Sequence, residues 1–365
     1  LDNYINTLIL LKYINKKIIT EFNLPSEIGF STRLGLDNND SIVTIGCSGH
    51  NDKFNEYFNM IIEYIKDFKF EDMDSVMVKT IIDGTKDNYL NIKKANPWNY
   101  SAYLEKLKVN RNAYRLENIV KYLNSMTIEN FKFNLSETKN RILYQSKFTS
   151  FFYGNITQDK LFDSEVTLNL DFTSLEKPKN SVSLLDDINE IHPNKDEKDN
   201  FVQYSYYIGN FNPMDNLLLL VMTISMSQPF YDQLRTKQQF GYLVSCNRIR
   251  YQNNYYITEK VQSTKSVEEI EKAIQKFNEE FLDTLTEDEY NKYVDATVNI
   301  LNERENSTAE LFNKYVIEIV ENRFLFNRDE LLLRKIKDLS FEKFKQFYKD
   351  KILNGKAIKT IITSQ

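Results

Sequence analysis

Apolar residues recur at three- and four-residue spacing in two regions of the chain, each of which follows a pair of strand-like runs. They are Phe54, Tyr57, Phe58, Ile61, Ile62 and Ile65 in the first region, and Val267, Ile270, Ala273, Ile274 and Phe277 in the second. This spacing places the apolar side chains on one face of a helix. Asn51 or Asp52 is the expected N-cap of the first helix, and Ser266 that of the second.

Each predicted helix is preceded by a predicted β-hairpin. Polar turns separate the two strand-like runs, at Asp37–Asp40 in the first region and at Tyr251–Asn254 in the second. Clusters of Asn between β-prone runs favour a hairpin connection. The pattern of hairpin followed by helix therefore occurs twice.

The two regions are copies of one unit. Met126–Lys132 resembles Leu339–Lys345 at an offset of 213 positions (339 − 126), and such self-similarity is the signature of an internal repeat. Each copy is predicted to contain a helix, a hairpin, several helices and a closing strand. The closing strands are expected at Lys147–Tyr153 and Ala357–Thr363.

The start of the chain lies inside the first copy. In the second copy an aromatic strand, Phe201–Ile208, precedes a first helix that runs from about Met214 to Leu234. Subtracting the offset from Met214 gives Leu1, so the first copy begins within the equivalent helix. We therefore expect its N-terminal strand or strands, and a larger protein, to lie upstream.

These patterns predict an α+β protein of two homologous domains, each an antiparallel sheet of about five to six strands packed with helices. Residues 174–199 are expected to link a first domain, 1–173, to a second, 200–365, because this segment carries Pro178, Pro193 and the start of a long polar run.

The composition argues against several classes of protein. The chain of 365 residues is 41% hydrophobic and 13% aromatic, with a formal net charge of −5. The aromatic content argues against disorder, and the acidic balance argues against a general nucleic-acid binder. No stretch approaches the roughly 20 apolar residues of a membrane helix, so no membrane association is expected.

Histidines and cysteines are scarce. The chain holds only His50 and His192, together with Cys47 and Cys246, and neither CxxC nor HxxxH spacing occurs. A four-cysteine zinc site is therefore excluded, and a site of two cysteines and two histidines would need the whole set. Two cysteines so far apart argue against a disulfide framework and favour a reducing, cytoplasmic location.

Each of these four residues has a structural interpretation. Both cysteines follow strand patterns, where a cysteine acts as a small buried hydrophobe. His50 lies at a hairpin-to-helix junction, where a turn or cap role is expected over that of a base. His192 lies beside Pro193 and has no candidate partner in the sequence.

The segment Ser227–Ser245 is the strongest candidate for a site. A predicted helix ends with Arg235 and Lys237, Gly241 follows, and Tyr242 begins a strand. A structural interpretation is adequate, because basic residues complement the dipole at a helix C-terminus and Tyr242 could be a core aromatic. A functional role for Arg235 and Tyr242 is the alternative.

Four motifs resemble a known family. They are Leu234–Val244 (LRTKQQFGYLV), Ser48–Lys53 (SGHNDK), Tyr153–Thr157 (YGNIT) and Phe324–Arg328 (FLFNR). They resemble, in order and over nearly the whole chain, segments of the insulinase- and pitrilysin-like branch of the M16 zinc metallopeptidases. The resemblance is to the C-terminal half, the third and fourth of four homologous domains with the LuxS/MPP-like metallohydrolase fold.

The resemblance implies a division of labour. In such enzymes the N-terminal half carries an HxxEH zinc motif and a distal Glu ligand, and the C-terminal half closes over a bound peptide. Two imidazoles on one helix face hold zinc, and the Glu activates water. HxxEH is absent here, so we expect no metal ligand and no catalytic residue in this chain, with zinc held by the N-terminal half.

The resemblance also assigns substrate contacts. Arg235 and Tyr242 match an Arg and a Tyr that reach the substrate backbone and the scissile carbonyl, and Tyr231 matches an aromatic that lines the pocket for the side chain after the cut. Departures from the family pattern are Gln238-Gln239 for Glu-Gln, Phe240 for Leu and His50 for Tyr. None removes a proposed donor.

Two hypotheses follow. The first is the substrate-enclosing C-terminal half of a zinc metalloendopeptidase, with peptides as substrates and the zinc-bearing half as partner, on the same polypeptide or a separate subunit. The second is a non-catalytic M16-like subunit that binds peptides or supports an active partner. A dimer is left open by both.

Overall fold

The structure, a computed structural model, describes residues 1–36, 42–70, 73–110, 113–146, 150–155, 184–251, 253–320 and 323–365. The predicted turn Asp37–Asp40 lies outside these residues, as do parts of Tyr251–Asn254, Lys147–Tyr153, Tyr153–Thr157 and 174–199. Two compact units are present: Leu1–Asn91 with Asn112–Ser181, and Ile92–Arg111 with Val182–Gln365. The domain ranges 1–173 and 200–365, with their linker, stay predictions.

The first unit contains one hairpin and a set of helices. The strands are β1 (Ser31–Leu36) and β2 (Val43–Ser48), and the helices are α1 (Asp2–Glu21), α2 (Asn23–Glu27), α3 (Phe54–Asp67), α4 (Ser75–Ile92, whose last residue falls in the second unit), α6 (Leu116–Ser125) and α7 (Ile128–Tyr144). β1 and β2 pair antiparallel from Ser31 with Ser48 to Leu36 with Val43. Ile9, Ile61 and Phe131 lie at the centre of the core.

The hydrophobic pattern correctly predicted helix α3, but the predicted N-cap, Asn51 or Asp52, was wrong. Asn51–Lys53 forms a 3₁₀ turn, and the N-cap of α3 is Lys53, without a side-chain capping bond. Of the predicted closing strand, Ser150–Tyr153 is irregular and the preceding residues lie outside the description.

The second unit is built on a five-stranded sheet. The strands are β3 (Ile188–Ile191), β4 (Asn200–Asn210), β5 (Leu243–Tyr251), β6 (Asn254–Ser263) and β7 (Ala357–Thr363). Their order is β3-β7-β4-β6-β5, and every neighbouring pair is antiparallel except β3 with β7, which is parallel. The α+β class is confirmed, and β3, within the predicted linker, makes this sheet mixed.

Helices complete the second unit. They are α5 (Pro97–Val109), α8 (Pro213–Tyr231), α9 (Val267–Thr284), α10 (Glu287–Asn302), α11 (Thr308–Val320), α12 (Arg328–Leu333) and α13 (Phe341–Tyr348). Ser266 caps α9 in a reciprocal capping box with Glu269, as the sequence predicted for Ser266. The core contains Val202, Met222 and Ile274.

Helix α5 belongs to the second unit although it lies between helices of the first in sequence. The backbone N–H of Trp98 donates to Oε1 of Gln262 on β6 (3.0 Å), and the Trp98 ring packs edge-on against Phe201 at 5.8 Å. Long-range contacts of this kind leave no local pattern in a sequence. Among the helices described here, none is long and apolar enough to cross a membrane.

Candidate substrate-contact site

The site begins where helix α8 ends. Asn212 caps its start by accepting from the backbone N–H groups of Met214 and Asp215, and most of the following side chains are buried. Pro229 lies inside the helix and cannot donate to the preceding turn. After α8, Asp232–Lys237 forms a π-helical turn, a geometry that often marks functional sites.

This wide turn separates buried from accessible side chains. Leu234 is fully buried in the core, Arg235 beside it is half-buried, and Lys237 is exposed. Two backbone bonds close the turn: Gln238 N–H donates to Gln233 O (3.2 Å), and Phe240 N–H donates to Leu234 O (3.0 Å). The helix end is therefore tied to the segment that leads into β5.

Residues 238–241 reverse the chain into β5. Gln239 adopts a left-handed backbone with φ 56°, and Gly241 has φ 123°, where a Cβ atom would also lie 2.7 Å from the carbonyl oxygen of Gln262. Real Cβ atoms do not approach an oxygen so closely, so glycine is required at this position. The result is that Tyr242 emerges at the edge of the sheet.

Arg235 and Tyr242 are brought together. The guanidinium carbon of Arg235 lies 4.2 Å from the centroid of the Tyr242 ring, within the range of a cation–π contact. Tyr242 is 85% exposed, so the interpretation of Tyr242 as a core aromatic is wrong. Seven residues apart in sequence, the two side chains form one accessible donor pair.

Tyr231 is accessible and lies four positions before Arg235. It is the last residue of α8 and is 39% exposed. Within the described part of the chain, the Tyr231 side chain makes no hydrogen bond or ring contact with Arg235 or Tyr242.

Lys265, which the sequence did not single out, contacts the same turn. Its Nζ donates to Gln238 O at 3.0 Å and lies 4.0 Å from the centroid of the buried Phe240 ring. A single lysine between a strand and a helix cap has no distinctive sequence signal.

Each of the two histidines packs against an aromatic ring. His192 is fully buried, with Nε2 2.9 Å from Ala95 O and its ring edge-on to Tyr100. His50 contacts the ring of Phe30. Among the described residues no group of three or more His, Cys, Asp or Glu side chains could hold a metal ion, so these residues do not fit a zinc site.

A carboxylic acid is buried beneath the sheet. Glu259 on β6 lies opposite Cys246 on β5 and is fully buried. Asn278 Nδ2 on α9 donates to Oε2 of Glu259 (2.9 Å), whereas Oε1 has no hydrogen-bond partner among the described residues. Burial raises the pKa of Glu259 to about 8, opposed by the Asn278 bond.

Burial also raises the pKa of the Cys246 thiol well above its usual value. The thiol is therefore neutral at physiological pH, and a neutral buried thiol is chemically inert. The prediction that Cys246 acts as a small hydrophobe is confirmed by its position in the core.

Comparison with known proteins gives one consistent relationship. Residues 220–316 match the family model described as PQQ synthase PqqF-like, C-terminal lobe domain 4. The chain is 22% identical to insulin-degrading enzyme of Homo sapiens over 327 residues, which cover 84% of this chain and 31% of that protein. It is 24% identical to nardilysin of Rattus norvegicus over 302 residues, which cover 78% of this chain and 25% of that protein.

Solved structures share the fold. Pitrilysin superposes with a TM-score of 0.81 at 16% identity, over 98% of this chain and 38% of that chain. The ferredoxin protease FusC, in complex with Arabidopsis ferredoxin, superposes with a TM-score of 0.68 at 9% identity, over 99% of this chain and 40% of that chain.

The chain thus spans about a third or less of the length of these curated relatives. Together the matches confirm the resemblance to the C-terminal half of the insulinase-like M16 metallopeptidases.

Proposed function

We propose that this chain forms the substrate-enclosing, C-terminal half of an M16-type zinc metalloendopeptidase that degrades peptides. The observation that carries the proposal is the accessible pair of Arg235 and Tyr242, with 4.2 Å between guanidinium carbon and ring centroid. The pair lies within a segment that matches a family model of the C-terminal lobe. In the proposed enzyme both side chains contact the bound peptide and the scissile carbonyl.

The chemistry of the pair suits this role. Hydrolysis of a peptide bond places negative charge on the carbonyl oxygen, and preorganised donors at that position lower the barrier. Arg235 supplies a permanently charged fork of N–H donors, and Tyr242 supplies a phenolic O–H. The stacking of the guanidinium on the ring limits the motion of both groups before the substrate arrives.

Tyr231 is proposed to line the pocket for the side chain that follows the cut. Its accessible ring offers an apolar surface with a polar tip. Such a surface suits a role in substrate preference instead of charge stabilisation.

Zinc belongs to the other half in this proposal. The family that the chain resembles uses zinc, and one curated relative, of Schizosaccharomyces pombe, is named a putative zinc protease, which supports zinc in the complete enzyme. Bound there, zinc would supply an activated water. The described residues of this chain offer no cluster that fits the metal, so their proposed work is to bind and orient the peptide.

The test is to combine the chain with the proposed zinc-bearing half, on the same polypeptide or as a separate subunit, and to measure cleavage of a quenched fluorescent peptide. Arg235→Ala or Tyr242→Phe should each lower kcat/KM by about 10²-fold or more, because each removes a donor to the developing oxyanion. Lys237→Ala is the matched control, since it removes an exposed cation from the same turn.

Two outcomes would contradict the proposal. Wild-type rates in both variants would return Arg235 and Tyr242 to a structural role and favour the non-catalytic interaction module. Chelator-sensitive turnover by the 365-residue chain alone would show that it holds a metal site of its own.

A further inference from the structure

Lys265 joins the end of β6 to the turn that separates Arg235 from Tyr242. Its Nζ donates to Gln238 O (3.0 Å), a carbonyl at the C-terminal end of the π-helical turn. The same ammonium group lies 4.0 Å from the centroid of the Phe240 ring. A lysine in this position satisfies a terminal carbonyl and complements the helix dipole.

The backbone of Lys265 is itself held at two points. Its N–H donates to Ser263 Oγ (3.1 Å), and its carbonyl accepts from Nδ2 of Asn200 (2.9 Å). Asn200 Oδ1 in turn accepts from the backbone N–H of Ser364 (2.9 Å). The ammonium group therefore extends from a bend between β6 and α9 whose backbone is hydrogen-bonded on both sides.

The turn that Lys265 holds needs such support. Gln239 and Gly241 both have positive φ angles, and a non-glycine residue in this region carries a conformational cost. Lys265 contacts the residues on either side of Gln239. Loss of these contacts would let residues 238–240 relax and would change the position of Tyr242 relative to Arg235.

We propose that Lys265 is a positioning residue that holds the 238–241 turn and so fixes Tyr242 against the Arg235 guanidinium. Its effect on peptide cleavage rests on the proposed function, whereas its effect on the geometry of the pair does not. Among the described residues no hydrogen bond or ring contact joins Lys265 to Arg235 or Tyr242, so we expect it to act through Gln238 and Phe240.

The geometric part is tested in the 365-residue chain with 3-fluorotyrosine incorporated at position 242. The ¹⁹F resonance of this ring senses a cation stacked on it, and Arg235→Ala in the labelled chain gives the reference without that cation. Lys265→Met should move the resonance at least halfway to this reference and broaden it. Lys265→Arg, which keeps a donor and a cation, should restore it.

Two further variants control for the loss of any lysine and for misfolding of Lys265→Met. Lys272→Met removes an exposed lysine of α9 and should leave the resonance unchanged. Phe240→Leu keeps the bond to Gln238 O but removes the aromatic face, so an intermediate shift is expected even where Lys265→Met folds poorly. An unchanged resonance in folded Lys265→Met, or in Phe240→Leu if the former does not fold, would overturn the proposal.

The functional part is tested in the reconstituted enzyme. Lys265→Met should lower kcat by roughly tenfold or more with a smaller change in KM, because misplaced donors act mainly on the transition state. If Arg235→Ala and Tyr242→Phe lower turnover but Lys265→Met does not, this inference fails alone. If none of the three lowers it, the proposed function fails, and the ¹⁹F spectrum still decides whether Lys265 holds the pair.

Discussion

Neutralising Glu259 should remove a pH dependence that its burial imposes on the stability of the second unit. In the folded chain the pKa of Glu259 is raised from 4.5 to about 8 by desolvation. In the unfolded chain the carboxyl group is in water and ionises near its ordinary value. Between these two values the folded state therefore binds one more proton than the unfolded state.

The sign and size follow from this difference. Stability decreases as pH rises wherever the folded state holds the extra proton, by about 1.4 kcal/mol per pH unit. The free energy of unfolding should thus fall by about 4 kcal/mol between pH 5 and pH 8. The full loss, about 5 kcal/mol, is reached above the folded pKa of about 8.

Three ionisable neighbours of Glu259 do not contribute to the pH dependence of stability between pH 5 and pH 8. Burial raises the pKa of Tyr206, Tyr348 and Cys246, so these neighbours remain neutral up to pH 8. Desolvation would raise the pKa of Glu318 too, but Arg323 and Arg328 outweigh it and lower that pKa. A lowered carboxyl pKa costs stability only as pH falls below about 4.5, outside the measured range.

Urea unfolding at pH 5, 6, 7 and 8 tests the reasoning, with the fluorescence of Trp98, the one tryptophan of the chain, as the probe of the second unit. Glu259→Gln should flatten the pH dependence, whereas Glu268→Gln, at an exposed position of α9, should not. Equal free energies of unfolding at pH 5 and pH 8 in the wild-type chain would refute it.

Two further predictions concern the backbone and the ion pairs of the second unit. Gly241→Ala should destabilise it by about 3 kcal/mol, measured as a loss in urea midpoint, because the new Cβ meets both a positive φ and the Gln262 carbonyl. Gly209→Ala, with φ 137° but open space around the Cβ, should cost only about 1 kcal/mol, and equal losses would refute the steric contribution. Glu318→Gln should cost about 3–5 kcal/mol because it neutralises a buried carboxylate that pairs with the guanidinium groups of Arg323 and Arg328, 2.8 and 3.0 Å away. Glu330→Gln, which breaks an exposed pair, should change the free energy of unfolding by less than about 0.5 kcal/mol, and a similar loss in both variants would refute the reasoning for Glu318.

Local patterns predicted most of the second unit. The helix expected from about Met214 to Leu234 is present as α8 and the π-helical turn, and the closing strand Ala357–Thr363 is present as β7. The helix is long and strongly apolar, and the strand is rich in β-branched residues, so each leaves a local signal in the sequence. β3 was not predicted, because Ile188–Ile191 is short, lies among charges and pairs with a strand about 170 positions away.

The sequence proposed residues for the candidate site but did not predict how they are arranged. The family resemblance identified Arg235 and Tyr242, whereas the residues alone left a core role for Tyr242 open. The exposure of Tyr242 depends on the left-handed backbone of Gln239 and on the close approach of Gly241 to Gln262. Neither is visible in a hydrophobic pattern, and the contact of Lys265 with Gln238 depends on tertiary structure.

The geometry of the Arg235–Tyr242 pair depends on contacts from several parts of the second unit. Gly241 meets β6 at Gln262, the residue that pairs with Leu243 at the start of β5. A slip of the β5–β6 register would therefore move Tyr242 away from Arg235, which is set by the end of α8. Lys265 ties the intervening turn to Asn200, and Asn200 ties it to the end of the chain at Ser364. A short peptide with the sequence of residues 228–245 would hold both side chains but none of these constraints, so the pair forms only where the sheet does.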